Sequence, residues 1–225
     1  MSGRLTDPRA QTAFLLARHG IDLVLDVGAN VGQYARGLRA AGYGGRIIWF
    51  EPQSAAHAAL TEAAAGDAGW TVAPRMALGD ADGEITINVS AASDMSSALA
   101  FTAETERHFT SDRFVGSERA PLRRLDGVWA DHVRGAERVF LKSDTQGFDL
   151  AVLRGAGDRL AAITGVQVEA SLHPIYQGQP DYRAVLDLLL PAGFALMQVI
   201  PGYFSRHHGR MLECDFVLFR PPPGG

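Results

Sequence analysis

The chain alternates short apolar runs with longer amphipathic stretches, and that rhythm predicts a fold before any motif is considered. Residues 8–19 carry apolar side chains at Ala10, Phe14, Leu15 and Ala17 behind Asp7-Pro8, an N-cap followed by proline at the first helical position, which predicts a leading helix. IDLVLDV (21–27) is a mostly apolar run ended by glycine, the pattern of a central parallel strand buried on both faces. QYARGLRAAG (33–42) predicts a helix ending in Gly42, RIIWFE (46–51) a second buried strand, SAAHAALTEAAAG (54–66) a helix capped by Ser54, and WTVAPRMAL (70–78) a third strand.

The rhythm changes over 79–126. GDADG is a turn cluster, EITINV alternates with period two, and SAASDMSSALAF is small and polar, so this stretch reads as an antiparallel embellishment plus a loop over one end of the sheet. RVFLKSD (138–144) restores a buried strand, FDLAVLRGAGDRLA (148–161) a helix, ITGVQVEA (163–170) a strand and DYRAVLDLLLPAG (181–193) the last helix. FALMQVI (194–200) and ECDFVLFR (213–220) have no helix between them and must pair antiparallel. The expectation is one α/β domain over 1–225: a Rossmann-like, seven-stranded, mostly parallel sheet with right-handed crossovers and an antiparallel terminal hairpin.

Composition narrows the function. At 225 residues, 47% hydrophobic and 20% charged, with a net charge of −4, the chain has an ordinary globular composition and no overall field for nucleic acid. A small, nearly neutral partner fits better. The single cysteine, Cys214, allows no internal disulfide and suits a reducing compartment; it reads as a buried core thiol. No run approaches the roughly 20 apolar residues of a membrane span, and the N-terminus lacks a signal-peptide pattern, so a cytoplasmic protein is expected. Trp129 and Phe109 could be core or the interface of a homo-oligomer.

The candidate chemistry begins at DVGANVGQYA (26–35). A dinucleotide loop would carry G-x-G-x-x-G so that its second glycine could touch a pyrophosphate. Here the order is Gly28-Ala29-Asn30-Val31-Gly32, which weakens the phosphate reading. Free amides and a helix N-terminus could instead receive a carboxylate such as the methionine end of S-adenosylmethionine. Asp26 would then accept the ligand's ammonium or brace the loop by accepting its amides; a tight turn without a ligand is the plain alternative. Glu51 closes the second strand, where an acidic residue accepts the hydroxyls of a ribose. Met76, Ala77 and Leu78 would lie against an adenine.

A second constellation is LKSDTQGFD (141–149). Lys142 and Asp144 share one face of a strand, with Asp144 at its carboxyl end, where open α/β sheets hold ligands. Gly147 permits the turn and Asp149 serves the next helix structurally. As general base, Asp144 is preferred over His173, Glu169 and His108 because motif and placement agree. Ser96, Ser97 and Tyr176, with Tyr203, Phe204 and His207, are candidate walls of an acceptor pocket. Asp144 with Glu169 makes an incomplete shell for magnesium, and His207-His208 has no third ligand nearby in sequence, so no metal is expected.

Taken together, DVGANVGQYA, WFEP, ALGD, MSS, LKSDTQGFD, ASLHPIYQGQPDY and CDFVLF resemble the FkbM-type S-adenosylmethionine-dependent methyltransferases over residues 21–219. The resemblance implies a class I methyltransferase fold, S-adenosylmethionine as cofactor with Gly28, Asn30, Gly32 and Glu51 in its motif, and Asp144 as the aspartate of the lysine-x-aspartate strand. It also implies O-methylation of a sugar, polyketide or related natural product. Ser143 stands where the family usually has an aliphatic residue, and Asp149 replaces a usual glutamate. The competing readings are a nicotinamide oxidoreductase, disfavoured by the missing middle glycine and the terminal hairpin, and a cofactor-binding module without catalysis.

Overall fold

The computed structural model describes residues 5–108, 113–134 and 137–221. Phe109 and the end of the PPPGG tail lie outside the described residues. In chain order the elements are α1 (Pro8–Arg18), β1 (Leu23–Val27), α2 (Gln33–Ala40), β2 (Arg46–Phe50), α3 (Ser54–Ala64), β3 (Trp70–Val72), β4 (Ala77–Gly79), β5 (Gly83–Ser90), α4 (Ala103–His108) and β6 (Phe114–Arg124). There follow α5 (Leu125–His132), β7 (Val139–Ser143), α6 (Asp149–Gly155), β8 (Ile163–Ser171), α7 (Tyr182–Leu189), β9 (Ala195–Pro201), β10 (Phe204–Ser205), β11 (Arg210–Met211) and β12 (Glu213–Phe219).

The main sheet has the order β3-β2-β1-β7-β8-β12-β9, with β12 antiparallel to both of its neighbours and every other pairing parallel. This is the sheet and terminal hairpin that the apolar runs predict. β1 and β7 lie side by side at its centre, and all ten of their residues are buried. α1, α2 and α3 cover one face through Leu16, Ala35, Leu38 and Leu60. The other face packs against α5, α6 and α7 through Leu125, Trp129, Val152, Leu153, Val185 and Leu189. Trp129 is therefore core, as is Cys214, which is buried beside Phe216 and Leu218.

Three boundaries differ from the sequence expectation. The run 70–78 is two strands: β3 pairs with β2, whereas β4 leaves the main sheet and pairs parallel with β6. The break falls at Pro74, which cannot donate to a ladder. The embellishment is thus a three-stranded sheet of order β4-β6-β5, antiparallel only between β5 and β6. The predicted helix 148–161 is α6 followed by a 3₁₀ segment at Gly157–Ala162, divided where Gly157 takes a φ of 49°.

Candidate active site

A cavity of about 690 Å³ opens at the carboxyl ends of β1, β2 and β7, between the main sheet and the embellishment. That volume lies in the range of small-molecule sites. Gly28, Asn30, Glu51, Ala77, Ser96, Ser97, Asp144, Glu169 and Glu213 are among the residues that border it.

The glycine loop is shaped by backbone constraints. Gly28, Asn30 and Gly32 all have positive φ (72°, 48° and 81°), so the absence of a glycine at position 30 reflects asparagine's tolerance of the left-handed region. A Cβ on Gly28 would sit 1.9 Å from the Asp144 carbonyl oxygen. Gly28 is thus required for the close approach of the β1 and β7 exits. A Gly28→Val exchange would force those strand ends apart rather than merely obstruct a ligand. Gly32 is not among the cavity-lining residues: its open side faces Leu60 and Trp49.

Four of the loop's amides, which the sequence suggested would be free, are engaged within the protein. Gly28 N and Ala29 N donate to Phe50 O, Gly32 N donates to Ala29 O, and Asn30 N donates to the Glu51 carboxylate at 2.8 Å. Glu51 is almost fully buried, and its second oxygen accepts from Gln53 N at 2.9 Å. Burial pushes its pKa up to about 7, although both backbone donors pull it down. Each carboxylate oxygen retains a further lone pair, so Glu51 can brace the loop and still accept two ligand hydroxyls. Beside it Met76, Ala77 and Leu78, with Val27 and Phe50, give an apolar slot.

Asp26 departs from both roles foreseen for it. It is fully buried, is not among the lining residues, and stands opposite Lys142 in the β1–β7 register. Its Oδ1 lies 3.1 Å from Lys142 Nζ, which is itself buried and lies 3.5 Å from Asp144 Oδ2 and 5.4 Å from the centre of the Tyr34 ring. Burial raises the Asp26 pKa while Lys142 lowers it. Burial opposes the Lys142 charge too, but Asp26 and Asp144 outweigh it, so the ammonium is held above its usual range. Asp26 is the inner counter-ion of a lysine whose outer face meets Asp144.

Asp144 is the partly exposed end of that chain of charge. Gln146, which sequence reasoning passed over, organises its surroundings: Nε2 donates to Asp144 Oδ1 at 2.9 Å and reaches both Glu169 oxygens at 3.3 and 3.1 Å. The φ of 55° at Gln146, just before Gly147, turns the chain here; the polar residue next to that glycine was the available signal. Burial first, and then the neighbouring Asp144 charge, hold Glu169 well above the usual carboxylate range. Glu213, also missed, is pushed to about 8 by burial and the same neighbour. The site therefore sets a lysine-paired carboxylate beside two carboxyls whose pKa values are raised by burial and by the Asp144 charge.

The two departures from the family pattern are a matched pair. Ser143 Oγ donates to Asp149 Oδ1 at 2.6 Å, and the same carboxylate receives Thr145 N at 3.0 Å and Gly147 N at 3.3 Å. Asp149 braces the turn that presents Asp144, with the serine hydroxyl completing its shell.

Ser96 and Ser97 border the cavity; Ser97 Oγ donates to Gln146 O at 2.6 Å. Tyr176 does not: it is fully buried, stacks on Phe101 and gives its hydroxyl to Gln146 Oε1 at 2.8 Å, so it supports the site from behind. His173 is also absent from the lining. Its Nε2 lies 3.5 Å from Glu104 Oε2.

The sheet order, with one antiparallel strand second from the edge, and the cavity at the parallel strand ends define a class I methyltransferase fold. Solved structures agree on the fold. An rRNA methylase from Streptococcus thermophilus superposes with a TM-score of 0.51 at 11% identity, covering 98% of this chain and 100% of that one. TehB from Haemophilus influenzae gives 0.51 at 7% identity, covering 96% and 63%. Residues 26–196 match the methyltransferase FkbM domain, so the chain belongs to the FkbM methyltransferase family. A search of curated proteins finds no match.

Proposed function

We propose that the protein methylates a hydroxyl group of a sugar, polyketide or related small natural product, with S-adenosylmethionine as donor. The observation that carries this reading is the presence, in the lining of one cavity, of Glu51 with its apolar slot and Asp144 with its lysine partner. The residues suit the cofactor: Glu51 offers lone pairs for two ribose hydroxyls, and Met76, Ala77 and Leu78 offer an apolar bed for adenine. Bound there, S-adenosylmethionine supplies an electrophilic methyl carbon.

The chain's own residues orient the acceptor and move one proton. With S-adenosylmethionine as methyl donor and its sulfur as leaving group, Asp144 would accept the proton that the acceptor hydroxyl gives up. Lys142 and Gln146 hold the Asp144 carboxylate in position, and Ser96 and Ser97, which line the same cavity, would contact the acceptor. Positioning the two reactants contributes about 7–11 kcal/mol of barrier lowering, and a base contributes a further factor of about 10²–10⁴.

The test is a tritiated-methyl transfer screen over sugar, polyketide and phenolic hydroxyls, repeated with Asp144→Asn. The expected outcome is transfer to one class, slowed about 10²–10⁴-fold in the variant with cofactor affinity retained. Unchanged turnover in Asp144→Asn would remove Asp144 from the reaction.

A further inference from the structure

We propose that Glu104, His173 and His208 bind a divalent transition-metal ion, zinc foremost, which clips together three segments beside the acceptor side of the cavity. The three residues come from distant parts of the chain: Glu104 from α4, His173 from the loop after β8, and His208 from the turn between β10 and β11. In the fold, one ligand atom from each lies within 4.8 Å of the other two. Glu104 stands between the imidazoles, with Oε1 2.9 Å from His208 Nε2 and Oε2 3.5 Å from His173 Nε2. Two imidazoles and one carboxylate form a zinc donor set that leaves a fourth position open, and imidazole selects zinc, cobalt and nickel over magnesium and calcium.

An ordinary ion pair would need only one histidine. Here a second support fixes the orientation of His208: its Nδ1 lies 2.7 Å from Ser205 Oγ, a buried hydroxyl that also accepts from His208 N at 3.2 Å. Such an outer partner commits one ring nitrogen and leaves Nε2 for a ligand. Each contributing segment is anchored independently of the cluster. Thr105 Oγ1 donates to Ile175 O at 2.8 Å, tying α4 to the His173 loop, and His173 N donates to Leu212 O at 3.1 Å, tying that loop to the last hairpin. His108 stacks on His207 with ring centroids 3.6 Å apart and also borders the cavity, so the cluster adjoins the acceptor side. The sequence expectation of no third ligand near His207-His208 fails because Glu104 and His173 arrive by folding, from about 100 and 35 residues upstream.

This inference is independent of the methyl-transfer reading. The test takes the full chain, stripped with a chelator, and titrates it with Zn²⁺ in competition with a chromophoric chelator, and with Co²⁺ for visible absorption bands. The expected result is one equivalent per chain. His173→Ala and His208→Ala each weaken zinc binding about 100-fold or more, Ser205→Ala weakens it roughly 10–100-fold, and His57→Ala on α3 leaves it unchanged. Circular dichroism checks that each variant is folded. Absence of stoichiometric binding to the unmodified chain overturns the proposal whatever the variants do. So does binding that survives both His173→Ala and His208→Ala.

Discussion

The two ends of the cavity are built on different principles. The glycine-loop end is made by strand exits in register: Gly28 against the Asp144 carbonyl, Asp26 opposite Lys142, and Glu51 clamping Asn30 and Gln53. The insertion end is made by segments that meet only after folding: Ser97 on Gln146, Tyr176 on Gln146, and Glu104 between His173 and His208. One end is held by buried, charged hydrogen bonds. The other is held largely by contacts between loops, with its histidines partly or wholly exposed. A family can keep the first end constant while the second is rebuilt for new acceptors, because changes in the loops leave the sheet's central charge pair untouched.

The sharpest way to break this comparison is to remove the charge pair. Lys142→Met leaves Asp26 buried without its counter-ion and should cost roughly 3–5 kcal/mol in urea unfolding. The corresponding cut in the embellishment, Arg119→Ala, removes an ion pair with Glu84 whose side chains are both exposed and should cost less than about 1 kcal/mol. If the two variants lost equal stability, the contrast between the ends would not hold.

This division also explains what was legible in the sequence. The seven strands of the main sheet and the terminal hairpin follow from local runs, readable one segment at a time, and so does the position of Glu51 and Asp144 just beyond strand ends beside the cavity. Asp26 was misread because its partner sits on β7, more than 100 residues later, and only the parallel register brings Lys142 to it. Tyr176 and His173 were placed in the site because their loop was; the direction in which each side chain points is decided by Phe101 and Glu104. The partition of 70–78 into two strands depended on β6, which had no distinct period of its own to announce it.

A smaller effect sharpens the comparison through pH. Glu213 has a folded pKa raised from 4.5 to about 8, so between those values the folded protein holds a proton that the unfolded chain has released. Its contribution is fully present below pH 4.5 and is lost as pH rises toward 8, with a slope of at most about 1.4 kcal/mol per pH unit. Glu51, raised to about 7, acts in the same direction over the lower part of that window. Glu213→Gln should flatten the decline, most visibly midway between those two pKa values, at about pH 5.5–7, in thermal unfolding followed across pH. An unaltered profile would mean that Glu213 does not carry that proton.

The most direct measurement is a calorimetric titration of the protein and its Glu51→Gln variant with S-adenosylmethionine and, separately, with NAD. The account predicts a single S-adenosylmethionine site in the unmodified protein, weakened about 10–100-fold in the variant through loss of charged hydrogen bonds worth roughly 1.5–3 kcal/mol, and no comparable binding of NAD. Tight NAD binding in place of S-adenosylmethionine, or equal S-adenosylmethionine affinity in both proteins, would contradict it.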